Sequence, residues 1–458
     1  MPPPQLDDIQ GFLRHGYPYF DRAAYCLFRI RGNRAGAKAW LHELLDPIAS
    51  EPWIDRADLR RARIELDDCG VAIAFTASGL RELGLGDDAL RTFVSEFQEG
   101  MPAKHRARLL GDVGASAPAN WLWGNPQNID GVLMVFSMQK RIDARVDEIQ
   151  RLAGCPQLVG QLTGRLKFSP VSGVAKEPFG FADGISQPLI EGLNDGETPA
   201  GVRQIKPGEF VLGYLNEINR RPASPSVALA DDPHNVLPRL PNEERADLGC
   251  NGTFMVMRQL EQDVQAFDDF VAGDECLAAR MVGRWRTGAP LVRYPEEAPG
   301  LTQRELETEN DFGYDREDRH GFTCPIGAHI RRANPRDALA EGLRLTPEQA
   351  QRLVDQHRIL RRGRVYKENG RQGLVFICLN ANIERQFEFV QSSWLMNGEF
   401  GGLPGETDPI IGNAPRRLTM QHPLLSESPQ GLPQFVTVRG GAYFFMPGLR
   451  ALRYLAQL

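Results

Sequence analysis

The chain has 458 residues and a net charge of −6, with 42% hydrophobic and 24% charged residues. This balance is typical of a soluble globular protein, and the length suits two domains better than one. The acidic excess argues against a nucleic-acid binder, which needs a basic surface.

The cysteines and the N-terminus bear on the cellular compartment. The seven cysteines include no Cys-x-x-Cys pair, which favours free thiols in a reducing compartment. The first residues contain neither a secretion signal nor a twin arginine. No apolar run approaches the roughly 18–20 residues of a membrane helix. We therefore expect a cytoplasmic protein that does not associate with membranes.

The first half of the chain alternates between apolar strands and amphipathic helices. Apolar runs predict strands at residues 24–30, 71–75 and 131–137. Helical periodicity predicts helices over residues 35–48 and 142–152.

The same alternation returns in the second half. Strands are predicted at residues 253–257 and 374–379, and helices over 263–271, 383–394 and 449–458. A closing hairpin is predicted around Gly440 and Gly441. Because long connections separate the strands, antiparallel sheets with helices on one face are favoured over a Rossmann array.

Several catalytic motifs do not occur in the sequence. No Gly-x-Gly-x-x-Gly or P-loop supports nucleotide binding, and no His-Glu-x-x-His supports zinc hydrolysis. The absence of Gly-x-Ser-x-Gly gives no support for an α/β-hydrolase.

His329 has the most unusual neighbourhood among the eight histidines. Small and apolar residues precede it, and Arg331, Arg332 and Arg336 follow it. A haem iron needs a neutral imidazole on an apolar face, and the haem propionates need cations nearby. A core or helix-capping histidine beside a solvated basic face fits the same spacing, so both interpretations stay open.

Two further segments place a charged residue beside apolar ones. Asp183 lies in residues 180–184, where glycines permit close backbone approach and apolar neighbours suit a carboxyl that transfers protons. An Asp-Gly turn is the alternative. Arg361 follows two apolar residues, and its guanidinium could polarise a peroxide or could belong to a basic helix end that closes at Gly363.

Taken together, these segments resemble the dye-decolourising (DyP-type) peroxidase family. Residues 180–184 match the family's Gly-x-x-Asp-Gly signature, and His329 in its Ala-His-Ile-Arg context matches the proximal haem ligand. Arg361 resembles the distal arginine. Arg362 is adjacent, and the family's usual proline after this point is absent, but Arg361 follows the apolar pair at the family's spacing. Residues 283–290, 373–376, 389–394 and 408–412 also resemble family stretches, and the length resembles the longer subgroups.

The resemblance implies an α+β fold with two ferredoxin-like domains, antiparallel sheets and peripheral helices. The domains are expected at residues 1–215, with the Gly-x-x-Asp-Gly signature near the end, and at residues 216–458. Haem b is expected in the C-terminal domain, with His329 as the proximal iron ligand. Asp408 is a candidate acceptor for the His329 ring, and Leu374 and Phe376 are candidates for the distal wall.

The function implied is a peroxidase that reduces hydrogen peroxide and oxidises dyes, phenols or other organic donors. Asp183 would move the peroxide proton and Arg361 would stabilise negative charge. The alternatives are a porphyrin-processing enzyme that removes iron and a non-enzymatic haem carrier, and the two distal groups favour peroxide cleavage. A homo-oligomer is left open, and no flexible C-terminal extension supports a role as the cargo of a protein shell.

Overall fold

The computed structural model describes residues 3–49, 69–124, 128–166, 174–193, 203–241, 243–413 and 417–458. Within these ranges, eight strands form a closed antiparallel barrel. The strands are β1 (Arg22–Arg29), β2 (Gly70–Phe75), β3 (Gly131–Ser137), β4 (Gln157–Arg165), β5 (Thr253–Gln262), β6 (Arg364–Glu368), β7 (Arg371–Asn380) and β8 (Val436–Met446).

Each half of the chain contributes four neighbouring strands. The first half has the order β4-β1-β3-β2 and the second half the equivalent order β8-β5-β7-β6, the ferredoxin-like arrangement. One residue pair closes each seam, Phe75 with Phe445 and Arg165 with Val365. The expected α+β fold with two antiparallel ferredoxin-like units is confirmed, whereas the boundary between residues 215 and 216 stays a prediction.

Helices cover the outside of the barrel, except for Gly11–Arg14, whose Phe12 and Leu13 pack in the barrel core. In the first half they are Gly11–Arg14, Arg34–Ala49, Ala77–Leu83, Asp87–Leu90, Ser95–Glu99, Lys104–Leu109 and Ile142–Gln150. In the second half they are Val264–Val271, Glu275–Val282, Gln303–Thr308, Tyr314–Glu317, His329–Ala333, Ala340–Leu343, Pro347–Asp355, the π-helical turns Glu384–Glu388 and Val390–Leu395, and Leu449–Gln457. No helix in the described ranges has both the length and the apolar character needed to cross a membrane.

Short strands complete the fold. Leu360–Arg361 pairs with β7 at the edge of the second half's strands. Leu189–Ile190 pairs with Gln204–Ile205, and Ser226–Ala228 pairs with Arg245–Asp247.

The barrel interior is a packed core. Alternate residues of the strands point inward, and Tyr25, Phe136, Met257, Ile377 and Phe444 are all buried there. This follows from the two-residue period of a strand, which directs successive side chains to opposite faces. The outward residues of the same strands are therefore the ones that contact the helices and line any site between sheet and helices.

The predicted hairpin around Gly440 and Gly441 is wrong. Both glycines lie inside the continuous strand β8, whose register shifts between Val438 and Gly440. A Cβ at Gly440 would lie 2.5 Å from the indole nitrogen of Trp123, so the glycine permits a close approach rather than a turn.

Candidate active site

A cavity of about 460 Å³ lies outside the barrel, between the outward face of the second half's strands and the helices that cover them. This volume is in the range of pockets for cofactors. Arg258, Leu260, Leu374 and Phe376 line it from β5 and β7, and the helix His329–Ala333 lines it from the covering layer. The cavity therefore collects residues from segments that are far apart in the sequence.

His329 begins the helix His329–Ala333 and lines the cavity. Its Nδ1 lies 2.9 Å from Oδ2 of Asp408, whose side chain is completely buried, whereas 30% of the His329 side chain is exposed, and that part faces the cavity. When Nδ1 donates to Asp408, Nε2 is the ring nitrogen left for a ligand in the cavity. This is the orientation that an iron-binding imidazole needs.

Asp408 is held in place from its other side. Its Oδ1 accepts hydrogen bonds of 2.9 Å from the backbone N–H groups of Ile410 and Ile411. Burial opposes ionisation of this carboxyl, but the charge and hydrogen bond of His329 lower its pKa below the usual value. Burial likewise opposes a charged imidazole, but Asp408 raises the pKa of His329. A carboxylate in this position would strengthen the electron donation of the imidazole to a metal bound at Nε2.

Asp183 and Arg361 meet in the same cavity. Arg361 Nη2 lies 3.9 Å from Asp183 Oδ1, and both side chains are partly exposed to the cavity. The backbone N–H of Gly184 donates to the same carboxylate oxygen at 2.6 Å. The backbone N–H of Arg361 donates to the Gln187 side chain at 3.1 Å, which ties the two segments together. The structure thus brings together a carboxylate and a guanidinium from distant parts of the chain.

The neighbouring arginine has a different environment. Arg362 Nη2 donates to the backbone carbonyls of Leu13 and Arg14, at 3.1 and 3.0 Å. Of these two arginines, Arg361 lines the cavity and Arg362 binds the N-terminal segment. The structure therefore gives the two consecutive arginines separate roles.

Leu374 and Phe376 lie on β7 and line the cavity with their outward side chains. Val375 and Ile377, the residues that alternate with them, are buried in the barrel core. The strand period thus places both predicted wall residues on the cavity side.

Of the three arginines that follow His329, Arg336 alone lines the cavity in the described structure. Arg331 donates to the carbonyls of Asp318, Cys324 and Arg319, and the buried Arg332 donates to four other backbone carbonyls. The basic cluster seen in the sequence is therefore mostly structural.

The cavity has further cations that the sequence analysis missed. Arg284 and Arg358 line it with Arg336, and their hydrogen bonds go to neutral oxygens of Gly288, Asn310, Phe312 and Ser186. Burial lowers the pKa of Arg284 and of Arg358 to about 10. An anionic ligand in the cavity would offset this cost of burying cations.

Two family models match the chain. The DyP dimeric alpha+beta barrel domain matches residues 26–164, and the C-terminal domain of Dyp-type peroxidases matches residues 230–400. A multifunctional dye peroxidase from an Amycolatopsis species is 30% identical over 84% of this chain and 82% of the relative. A dye-decolorizing peroxidase from Mycena epipterygia is 28% identical over 84% of this chain and 76% of the relative.

Solved structures of similar proteins cover almost the whole chain. An ancestral D-type dye decolorizing peroxidase has a TM-score of 0.75 and 29% identity, with 99% of both chains covered. A dye-decolorizing peroxidase in complex with 2,6-dimethoxyphenol has a TM-score of 0.77 and 26% identity, again with 99% of both chains covered. This chain therefore belongs to the dye-decolourising (DyP-type) peroxidase family and is a peroxidase.

Proposed function

We propose that the cavity binds haem b and that the enzyme uses hydrogen peroxide to oxidise organic donors, including dyes and phenols. The family is haem-dependent. The observation that carries the proposal is the convergence of His329, Asp183 and Arg361 on one cavity. The proposed donors follow from two relatives, a multifunctional dye peroxidase and a peroxidase in complex with 2,6-dimethoxyphenol.

The lining residues fit a haem. His329 is the only histidine among the described residues that line the cavity, and Asp408 leaves its Nε2 for the iron. Arg284, Arg336 and Arg358 offer buried cations for the propionates. Most of these residues belong to the second half of the chain, which supports a haem held chiefly by residues 216–458.

When bound, haem would supply the iron redox chemistry that peroxide reduction and donor oxidation require. Asp183 takes a proton from one peroxide oxygen and returns it to the other. Arg361, 3.9 Å from Asp183, stabilises the negative charge that develops on the departing oxygen. Leu374 and Phe376 exclude water from this side of the cavity.

Two further proposals concern the whole chain. The division into residues 1–215 and 216–458 is supported by the two ferredoxin-like strand sets. A cytoplasmic location is supported by the seven cysteines, all of which are free thiols.

The test is the absorption spectrum of the haem-reconstituted protein beside His329→Ala, before and after a pulse of hydrogen peroxide. We expect a Soret band in the wild type that peroxide shifts, and loss or strong perturbation of this band in the variant. His422→Ala, which changes an exposed histidine outside the cavity lining, is the control and should match the wild type.

Other outcomes distinguish the alternatives. A band that depends on His329 but does not respond to peroxide would favour a haem carrier. Accumulation of iron-free porphyrin would favour a porphyrin-processing enzyme. A protein without any haem band would contradict the proposed cofactor.

A further inference from the structure

Glu177 lines the cavity, and no step of the proposed reaction uses it. Its carboxylate accepts three hydrogen bonds. The backbone N–H of Phe181 donates to Oε1 at 2.8 Å, the backbone N–H of Phe179 donates to Oε2 at 3.0 Å, and the Gln262 side chain donates to Oε2 at 2.8 Å. None of the ion pairs in the described parts of the chain includes Glu177, so neutral donors alone satisfy this carboxylate.

The first two bonds close a tight loop that leads to Asp183. The backbone reinforces the loop, because Gly180 N–H donates to the Glu177 carbonyl at 2.9 Å and Glu177 N–H donates to the Phe181 carbonyl at 3.0 Å. Gly180 has a φ of +91°, a conformation that favours glycine at the turn. Asp183 lies two residues after Phe181, so the path of this loop fixes where its carboxylate lies.

The third bond ties the loop to the sheet. Gln262 is the last residue of β5, and β5 pairs with β7, which in turn pairs with the short strand that contains Arg361. The loop of Asp183 and the strand of Arg361 are therefore anchored on the same set of strands. The bond between Gln187 and the Arg361 backbone is a second anchor, on the other side of Asp183.

A carboxylate suits this position better than an amide. Three N–H donors converge on two oxygens, and a glutamine of the same size would direct an NH2 group against at least one of them. Burial raises the pKa of Glu177, and the nearby charge of Asp183 adds to the effect, although the three hydrogen bonds oppose it. Holding an acidic group here costs free energy, which is hard to explain by stability alone.

We propose that Glu177 is a positioning residue that holds Asp183 at the correct place relative to Arg361 and the bound peroxide. The proposal rests on the proposed function, because Asp183 must act on peroxide for its position to matter. A displacement of about 1 Å in a catalytic group can lower a rate by roughly 100-fold. The effect should be confined to the peroxide step, since Glu177 does not contact the donor in this scheme.

The test compares Glu177→Gln with Glu209→Gln as a matched control. Glu209 is a buried glutamate that likewise accepts a backbone hydrogen bond, at 3.0 Å from Glu217, and it also pairs with Arg385, but it lies outside the cavity lining. Stopped-flow absorption measures the second-order rate of the peroxide reaction and, separately, the rate of donor oxidation. We expect Glu177→Gln to slow the peroxide step by about 10- to 100-fold and to leave the donor step within about twofold.

A second readout uses the cofactor-free protein. Hydrogen exchange of the peptide covering residues 174–188 should be faster in Glu177→Gln than in the wild type and unchanged in Glu209→Gln. Gln262→Leu removes only the anchor to β5 and should slow the peroxide step by less than Glu177→Gln. It also keeps the proposal testable if Glu177→Gln does not fold.

An unchanged peroxide rate in a folded Glu177→Gln variant would overturn the proposal, whatever the exchange shows. Equal slowing in Glu209→Gln would also overturn it, because the effect would then be a general loss of structure. The Asp183→Asn variant distinguishes a failure of the proposed role of Asp183 from a failure of the positioning role of Glu177. If this variant is slow while Glu177→Gln is normal, only the positioning role fails, whereas a normal rate in Asp183→Asn removes the proposed role of Asp183 and the positioning role with it.

Discussion

The two halves of the barrel share one strand order but differ on their outward faces. In the first half, Cys26 and Phe28 on β1 pack beneath Trp40, which belongs to the continuous helix Arg34–Ala49. In the second half, the equivalent strand β5 changes from apolar Val256 to Arg258, and the cavity opens above it. The same scaffold therefore forms a closed core on one side and a site on the other.

The covering helices account for much of this difference. The 16-residue helix Arg34–Ala49 and the nine-residue helix Ile142–Gln150 pack on the first half, whereas at the cavity the helix that contains His329 has only five residues and the chain beyond β7 forms π-helical turns. Short helices cannot cover the outward face of the sheet completely. The second half therefore has less apolar packing at the cavity that His329, Asp183 and Arg361 line.

The largest expected effect is on the free energy of unfolding, and it tests whether the outward face of the first half is packed more tightly than that of the second. Trp40 is 2% exposed and lies edge-on to Phe28, so Trp40→Ala should lower the free energy of unfolding by about 3–5 kcal/mol. Phe376→Ala truncates a side chain that already borders the cavity and should cost about 1–2 kcal/mol. Denaturant unfolding of both cofactor-free variants measures the difference.

Equal losses of stability in the two variants would break the contrast, because the outward face of the second half would then be packed as tightly as that of the first. The peroxide rate gives an independent check. Trp40→Ala, as long as it is folded, should keep that rate, whereas Phe376→Ala should change it.

The sequence predicted the apolar parts of the fold well. The strands predicted at residues 71–75 and 131–137 differ from β2 and β3 by at most one residue at an end. It missed β4, whose residues are mostly polar or glycine and whose outward face is exposed, and it missed the short strand β6. Burial of apolar side chains leaves a clear pattern in sequence, but strand pairing through the backbone does not.

The candidate site shows the same limit. The Gly-x-x-Asp-Gly signature and the context of His329 led to Asp183 and His329, which the structure brings to one cavity. Arg284 and Arg358 were missed because their importance depends on which neutral groups they contact, which only the fold determines. Arg258 could have been found from the sequence. It is a charged residue that follows the apolar part of a strand, at a position whose side chain points out of the barrel.

A smaller effect is expected from the two consecutive arginines. Arg361→Lys keeps the charge but loses the planar guanidinium and its fixed donors, so the peroxide step should slow by about 10- to 100-fold. Arg362→Lys is the matched control, because Arg362 donates to Leu13 and Arg14 outside the cavity. Stopped-flow measurement of the peroxide reaction distinguishes the variants.

A slow Arg362→Lys beside a normal Arg361→Lys would reverse the assignment of the distal arginine. It would also show that contacts between the N-terminal segment and the second half control the site. Equal slowing in both variants would mean that this segment tolerates no substitution and would leave Arg361 without a separate role.

The smallest expected effect is on how stability depends on pH, and it comes from His357 in the second half. His357 stacks on Phe389 with ring centres 3.9 Å apart, and its Nδ1 lies beside the Arg385 carbonyl. Burial lowers the pKa of His357, and the charge of Arg385 acts in the same direction, although the hydrogen bond to the Arg385 carbonyl opposes it. The unfolded chain therefore binds a proton at this residue more readily than the folded chain does.

The sign of the effect follows from this difference in proton binding. The contribution of neutral His357 to the free energy of unfolding is fully present above the pKa of about 6.5 that histidine has in the unfolded chain. This contribution is lost as the pH falls below that value. We expect the free energy of unfolding of the cofactor-free wild type to fall more steeply between pH 7 and pH 5 than that of His357→Gln. Because His329 titrates in both proteins, the difference between the two curves isolates His357. Parallel pH curves for the two proteins would show that protonation of His357 does not destabilise the folded chain. The second half would then be more loosely packed around Phe389 than the ring stacking indicates.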